Sequence, residues 1–234
     1  MESARLKKWD VYSAICAYGE EHGSPPNENA ADDIRRQEFI ELFKQYLAPP
    51  ARILAPGALA EAPLLAEAGY EIHALQLPGP NTAWLRARRD KLTQPERLII
   101  REIDAHDLDY PPNFFDGYFS VQFNEHLLSW LIHIGEVRYC SRVGAIAFID
   151  ACGTTNPAMY TVRHTNLVNE KAVHDQWNFW GWKERWRGPL IGSQGETGGD
   201  NRPQFIFEML PPDSLEFRHR ECLNEIMRHR GELS

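Results

Sequence analysis

The chain has 234 residues, of which 43% are hydrophobic and 25% charged, and 33 acidic against 25 basic side chains leave a net charge of -8. That balance is ordinary for a soluble globular protein and excludes the disordered and fibrous classes. The length suffices to bury about 70% of the unfolded surface in one α/β domain with additions, and the acidic surplus opposes sequence-independent attraction to phosphate backbones or anionic lipid.

Four cysteines, Cys16, Cys140, Cys152 and Cys222, lie far apart with no C-x-x-C pair, so no zinc site and no disulfide framework are signalled. No apolar run approaches the roughly 20 residues that span a bilayer, and residues 1 to 10 lack a signal-peptide pattern. These features predict a cytoplasmic protein with reduced thiols, with no metal, no membrane and no nucleic acid among its partners.

Trp9, Tyr12, Ile15 and Tyr18 at three-residue spacing predict a short helix with an aromatic face, broken by residues 23 to 29. From Ala31 to Leu47, Ile34, Phe39, Leu42, Phe43 and Tyr46 mark an amphipathic helix, stopped by Pro49 and Pro50. Together these make an N-terminal helical extension over residues 1–48.

Residues 49–150 then alternate strand and helix. Strands are predicted at 51–55, 70–77, 98–103, 115–121 and 143–149, the last the most continuous apolar run and so a buried central strand. Helices are predicted at 62–68, at 81–92 with Asn81 as cap, and from about 125 to 139. This alternation implies an α/β fold, a mostly parallel sheet flanked by helices on both faces.

Residues 151–234 are less regular, an aromatic-rich insertion followed by final strands. It holds Trp177, Trp180, Trp182 and Trp186, a Gly-rich turn from Gly192 to Gly199, a strand candidate at 204–210 and a weaker one at 215–222. On a continuous helix Trp177 and Trp180 share a face and Trp182 turns away. The segment is expected to form a lid or a partner surface, with core packing as the alternative.

The order and spacing of elements from Ala51 to Ile149 resemble the class I S-adenosylmethionine-dependent methyltransferases, a Rossmann-like fold. The segment Phe115-Asp116-Gly117-Tyr118-Phe119-Ser120-Val121-Gln122-Phe123-Asn124-Glu125-His126 is similar to that family's fourth strand and the histidine after it. Ile103-Asp104-Ala105-His106-Asp107-Leu108 resembles the family's segment in which an aspartate binds the adenine amino group. A carboxylate suits that donor because it only accepts hydrogen bonds.

The first loop departs from the family's D-x-G-x-G-x-G. Here it reads Ala55-Pro56-Gly57-Ala58-Leu59-Ala60-Glu61, with Gly57 alone of the glycines, and Gln76 stands where the family places an acid on the ribose hydroxyls. A hydrogen bond to a charged group contributes roughly 1.5 to 3 kcal/mol, so losing two takes a micromolar site to about millimolar. Glu61 is the nearest carboxylate that could replace the missing acid, and the helix after it offers N–H groups.

The resemblance therefore implies S-adenosylmethionine as cofactor, held weakly by Ala55, Gly57, Glu61, Gln76, Leu77, Asp104, Ala105, His106, Ser120, Val121 and Gln122. It implies His126 as a candidate general base and methyl transfer to a small-molecule or sugar-type acceptor. Trp9, Tyr12, Tyr18, Asn124, Trp177 and Trp180 are the candidate substrate contacts. The alternative is a methyltransferase-like protein that has lost transfer and serves as a binding or assembly partner, or holds another ligand. A protein partner or homo-oligomer is compatible with either.

Overall fold

A computed structural model of the chain describes residues 30–76, 79–127, 129–151, 170–188 and 204–211. The elements are α1 (Ala30–Tyr46), β1 (Arg52–Pro56), α2 (Glu61–Glu67), β2 (Glu71–Gln76), α3 (Pro80–Arg89), β3 (Leu98–Glu102), β4 (Phe115–Val121), α4 (Trp130–Cys140), β5 (Ser141–Asp150), α5 (Glu170–Phe179), β6 (Trp182–Gly188) and β7 (Gln204–Met209). Short 3-10 turns at Pro95–Arg97 and Asn124–His126 complete the order.

The strands form one seven-stranded sheet in the order β3-β2-β1-β4-β5-β7-β6. The five strands β1 to β5 are parallel, and β7 runs antiparallel between β5 and β6. Side chains alternate across each strand, so the sheet feeds two cores. Ile53, Ala55, Ile72, Ala74, Phe119, Val121 and Phe148 face α1, α2 and α3. Leu54, Leu75, Tyr118, Ala147, Ile149, Phe205 and Phe207 face α4 and α5. The expected parallel sheet with helices on both faces is the observed one.

Helix α1 crosses the first face with Phe39, Ile40, Leu42 and Phe43. Phe43 meets Phe119 edge-on at 5.3 Å between centroids, and Phe39 lies 5.1 Å from Phe148. Fully burying one such ring contributes about 1.5 to 3 kcal/mol. Ile34, expected in this stripe, is 61% exposed; the buried stripe starts at Arg36 instead.

Two helix boundaries also differ from expectation. α3 starts at Pro80 after Gly79, and no side chain caps it, so Asn81 lies inside the helix. The helix expected from about 125 to 139 is split into the Asn124–His126 turn and α4.

The stretch expected to be irregular contains α5 and β6, and its tryptophans pack inward. Trp177 lies 5.1 Å from Trp182, 5.3 Å from Tyr118 and 5.6 Å from Phe207, ring centroid to ring centroid. Trp177 and Trp182 meet because the helix ends at Phe179 and Trp182 opens a strand, contrary to the continuous-helix expectation. Arg185 is an extra residue opposite β7: Glu184 pairs with Phe207 and Trp186 with Ile206. That bulge reverses the facing of everything after it. Trp182 accordingly sits in the α4/α5 core and Trp186 against the opposite one.

Arg138 of α4 ties this end together, donating to Gly181 O at 3.1 Å and Leu210 O at 2.8 Å. Trp9, Tyr12, Tyr18, Leu77, His164, the Gly192–Gly199 turn and the 215–222 candidate lie outside the described residues.

Candidate functional site

In a parallel sheet the carboxyl ends of the strands share one edge, where ligands of open α/β sheets bind. That edge brings together Gly57 after β1, Gln76 at the end of β2, the 104–108 segment after β3, Val121 at the end of β4 with Gln122 to Asn124 after it, and Asp150 at the end of β5.

The segment after β3 is held from two sides. Asp104 Oδ1 accepts the His106 backbone N–H at 2.8 Å and the ring Nδ1–H at 2.7 Å. His106 Nε2 in turn accepts the Ser129 N–H at 3.1 Å, which fixes the ring proton on Nδ1. His133 Nδ1 donates to Ala105 O at 2.7 Å, and its Nε2 accepts from the Tyr118 hydroxyl at 3.0 Å. Burial lowers the His133 pKa to about 4, partly offset by the bond to Ala105, and the same burial pushes the Tyr118 hydroxyl up. Glu136 Oε2 accepts the Leu108 N–H at 3.1 Å.

Ser129, His133 and Glu136 recur at helical spacing and face the 104–108 segment together. Meanwhile Leu131 and Ile132 on the other side of α4 are 46% and 52% exposed. The buried side of α4 thus carries His133 and Glu136 beside the apolar Trp130, Ile134 and Val137. Sequence reasoning missed this polar stripe, although His133 and Glu136 inside the apolar run Trp130-Leu131-Ile132-His133-Ile134-Gly135-Glu136-Val137 were its visible signal.

The first loop is built differently. Gly57 has φ of +68°, and a Cβ placed there would lie 2.6 Å from Phe123 Cβ, so Phe123 packs directly over it. Leu59 N–H donates to Gly57 O and Ala62 N–H to Ala58 O, both at 2.8 Å. Glu61 is 4% exposed and stands 3.5 Å from Arg36 Nε of α1. Desolvation raises the Glu61 pKa, opposed by its own backbone N–H and by Arg36 and Arg35. No sequence motif pointed to the Arg36–Glu61 pair.

Ala55, Ser120 and Val121 are buried, Ala55 and Val121 within the α1–α3 core, so they offer backbone rather than side chain to the edge. Gln76 is half-buried in register with Glu102, which pairs with Arg86 at 2.8 Å. Gln122 turns with φ of +47° and donates its N–H to Asp150 O at 2.9 Å, while Asp150 Oδ1 accepts from Gln204 Nε2 at 2.7 Å.

Asn124 is 1% exposed, and neither its amide nitrogen nor its oxygen has a partner. His126 is exposed two residues later. Trp177 and Trp180 are both buried; Trp177 belongs to the α4/α5 core and not to a ligand-facing wall, because α5 lays it across Tyr118 and Phe207. Among the described residues no group of three or more His, Cys, Asp and Glu could hold a metal ion, and no helix is long and apolar enough to cross a membrane.

The fold is the Rossmann-like fold of class I methyltransferases. No family model matches the sequence, nor does any curated protein. Solved structures are similar in fold at low identity. A SAM-dependent methyltransferase of Methanosarcina mazei is 14% identical with a TM-score of 0.58, over 72% of this chain and 97% of its own. A Burkholderia thailandensis 1,6-didemethyltoxoflavin-N1-methyltransferase, solved with 1,6-didemethyltoxoflavin and S-adenosylhomocysteine bound, is 15% identical with a TM-score of 0.63, over 90% of each chain. The cyclase SpnF is 13% identical with a TM-score of 0.61, over 87% of this chain and 95% of its own.

Proposed function

We propose that this chain binds S-adenosylmethionine at the carboxyl edge of its sheet and transfers the methyl group to a small-molecule acceptor. The observation that carries the reading is the 104–108 segment, held at the strand ends where Asp104 accepts from His106, His106 Nε2 accepts from Ser129 N–H, Ala105 O accepts from His133 and Leu108 N–H donates to Glu136. Asp104 would accept from the adenine amino group and the Ala105 N–H would meet the ring.

The cofactor supplies an electrophilic methyl on a sulfonium, which an in-line nucleophile takes while the sulfur leaves as a neutral thioether. The protein's share is to hold the acceptor close and aligned. Asn124, with an unpartnered buried amide, suits an acceptor presenting a donor and an acceptor side by side. A base is needed only for a protonated nucleophile, and the exposed His126 is the candidate.

One observation favours a second reading, a methyltransferase fold that binds without transferring: the only carboxylate of the first loop is engaged by Arg36. Calorimetric titration of the purified protein with S-adenosylmethionine and S-adenosylhomocysteine tests the proposal. Saturable binding of both supports it, with dissociation constants of about tens of micromolar or weaker expected from the altered loop. Absence of binding overturns it.

A further inference from the structure

We infer that Asn124 selects the methyl acceptor and that this acceptor is a ring carrying a lactam, an N–H beside a C=O, with no negative charge. The assignment rests on the proposed function and names the substrate class of that same site.

Asn124 follows β4 at the carboxyl edge of the sheet, buried, with neither polar atom of its side chain hydrogen-bonded. Burying an amide without partners is costly, and the large majority of buried polar side-chain atoms in folded proteins have one. An apolar residue of similar shape would cost less at this position. The backbone that carries the amide is fixed on both sides. Gln122 N–H donates to Asp150 O at 2.9 Å, His126 N–H to Phe123 O at 3.0 Å and Leu127 N–H to Asn124 O at 3.3 Å, while Phe123 packs against Gly57. The amide is therefore held ready in the free protein, and a ligand that supplies its partners binds without having to order the turn.

The chemistry of the side chain limits what those partners are. An amide offers a donor on one side and an acceptor on the other, and a cis amide meets both at once through two antiparallel hydrogen bonds. A lactam ring fixes that cis geometry. A carboxylic acid has the same outline but arrives as an anion, and the surroundings oppose it: Glu61, Glu125 and Asp150 are all buried at the same strand ends, with Arg36 facing Glu61.

The test is calorimetry on the full chain in the presence of S-adenosylhomocysteine. Uracil, 2-pyridone and lumazine serve as probes, each beside its N-methylated counterpart, against the parent, Asn124→Leu and Asn124→Ala. The expected result is saturable binding of at least one lactam by the parent, binding of its N-methylated counterpart weaker by about tenfold or more, and a loss of about 10- to 100-fold in both variants. Urea denaturation of the free proteins should place the Asn124→Leu midpoint at or above the parent's, since that variant removes an unpartnered amide. No binding of any lactam by a parent that binds S-adenosylhomocysteine, or equal binding by the parent and both variants, overturns the inference and leaves the proposed function standing. A midpoint below the parent's in Asn124→Leu and Asn124→Ala alike shows the amide to be bonded in the free protein and overturns the inference as well. Failure of the parent to bind S-adenosylhomocysteine overturns the proposed function, and this assignment with it.

Discussion

Arg36 Nε and Glu61 Oε1 stand 3.5 Å apart with both side chains buried, one on α1 and the other at the start of α2. Removing one partner of a buried pair leaves an uncompensated charge, whereas replacing both by apolar groups is often neutral. Arg36→Leu is therefore expected to lower stability by about 3 to 5 kcal/mol, and R36L/E61L to recover to within about 1 kcal/mol of the parent. Urea denaturation of the two variants and of Glu61→Leu completes the cycle; a double variant no better than Arg36→Leu removes the pair from the account.

Asp104 has two tasks that substitution separates. Asparagine keeps an oxygen for the His106 N–H but can present a donor where the adenine amino group needs an acceptor, so Asp104→Asn should fold with a loss of about 1 kcal/mol or less. Asp104→Ala removes both bonds to His106 and should cost about 1 to 3 kcal/mol in stability as well as weakening any adenosine ligand. Equal binding by parent and Asp104→Asn would assign the acid to the turn alone.

His133 makes stability fall with acid. Its folded pKa of about 4 lies below the ordinary unfolded value, so the unfolded chain binds the extra proton first. Stability is full above about pH 6.5 and declines by about 3 kcal/mol as pH falls through 4. His73, also lowered chiefly by burial, acts in the same direction. Denaturation midpoints measured from pH 7.5 to 4.5 should fall more steeply in the parent than in His133→Gln; parallel curves would contradict the assignment.

Two glycines with positive φ offer a matched comparison. Gly57→Ala drives a Cβ into Phe123 and should cost about 2 to 4 kcal/mol, whereas Gly144 at φ of +80° has nothing within 4 Å and its alanine should cost about 1 kcal/mol. Thermal melts of both variants read the difference directly.

Trp177 carries packing. Trp177→Ala should lose about 3 to 5 kcal/mol and leave the sedimentation behaviour of the folded protein unchanged. A change in oligomeric state with stability intact would return this residue to an interface.

The parallel half was legible because each of β1 to β5 contains an apolar core bounded by Gly, Pro or charge, and the helices between them carry spaced apolar residues. α5 and β6 were not legible for a physical reason. Of α5 the buried residues are Val173 and Trp177, and β6 reads Trp182-Lys183-Glu184-Arg185-Trp186-Arg187-Gly188, with charge on four of seven positions and a bulge that breaks its alternation. At the edge of the sheet, Asp104 and Gln122 stood in recognisable local patterns. The Arg36–Glu61 and His133–Ala105 contacts join distant segments, and nothing local announces such pairs.

The bulged strand β6 has a consequence for self-association. Among the described residues it and β3 are the outer strands, and a flat apolar outer strand is a template on which another chain can add. β6 is neither flat nor apolar: Arg185 pairs with Glu208, and Arg187 with Glu184 and Glu170. Growth of the sheet into a second molecule at that side is opposed by twist and by charge. The exposed apolar residues of α4, Leu131 and Ile132, lie on a helical surface and not on that strand.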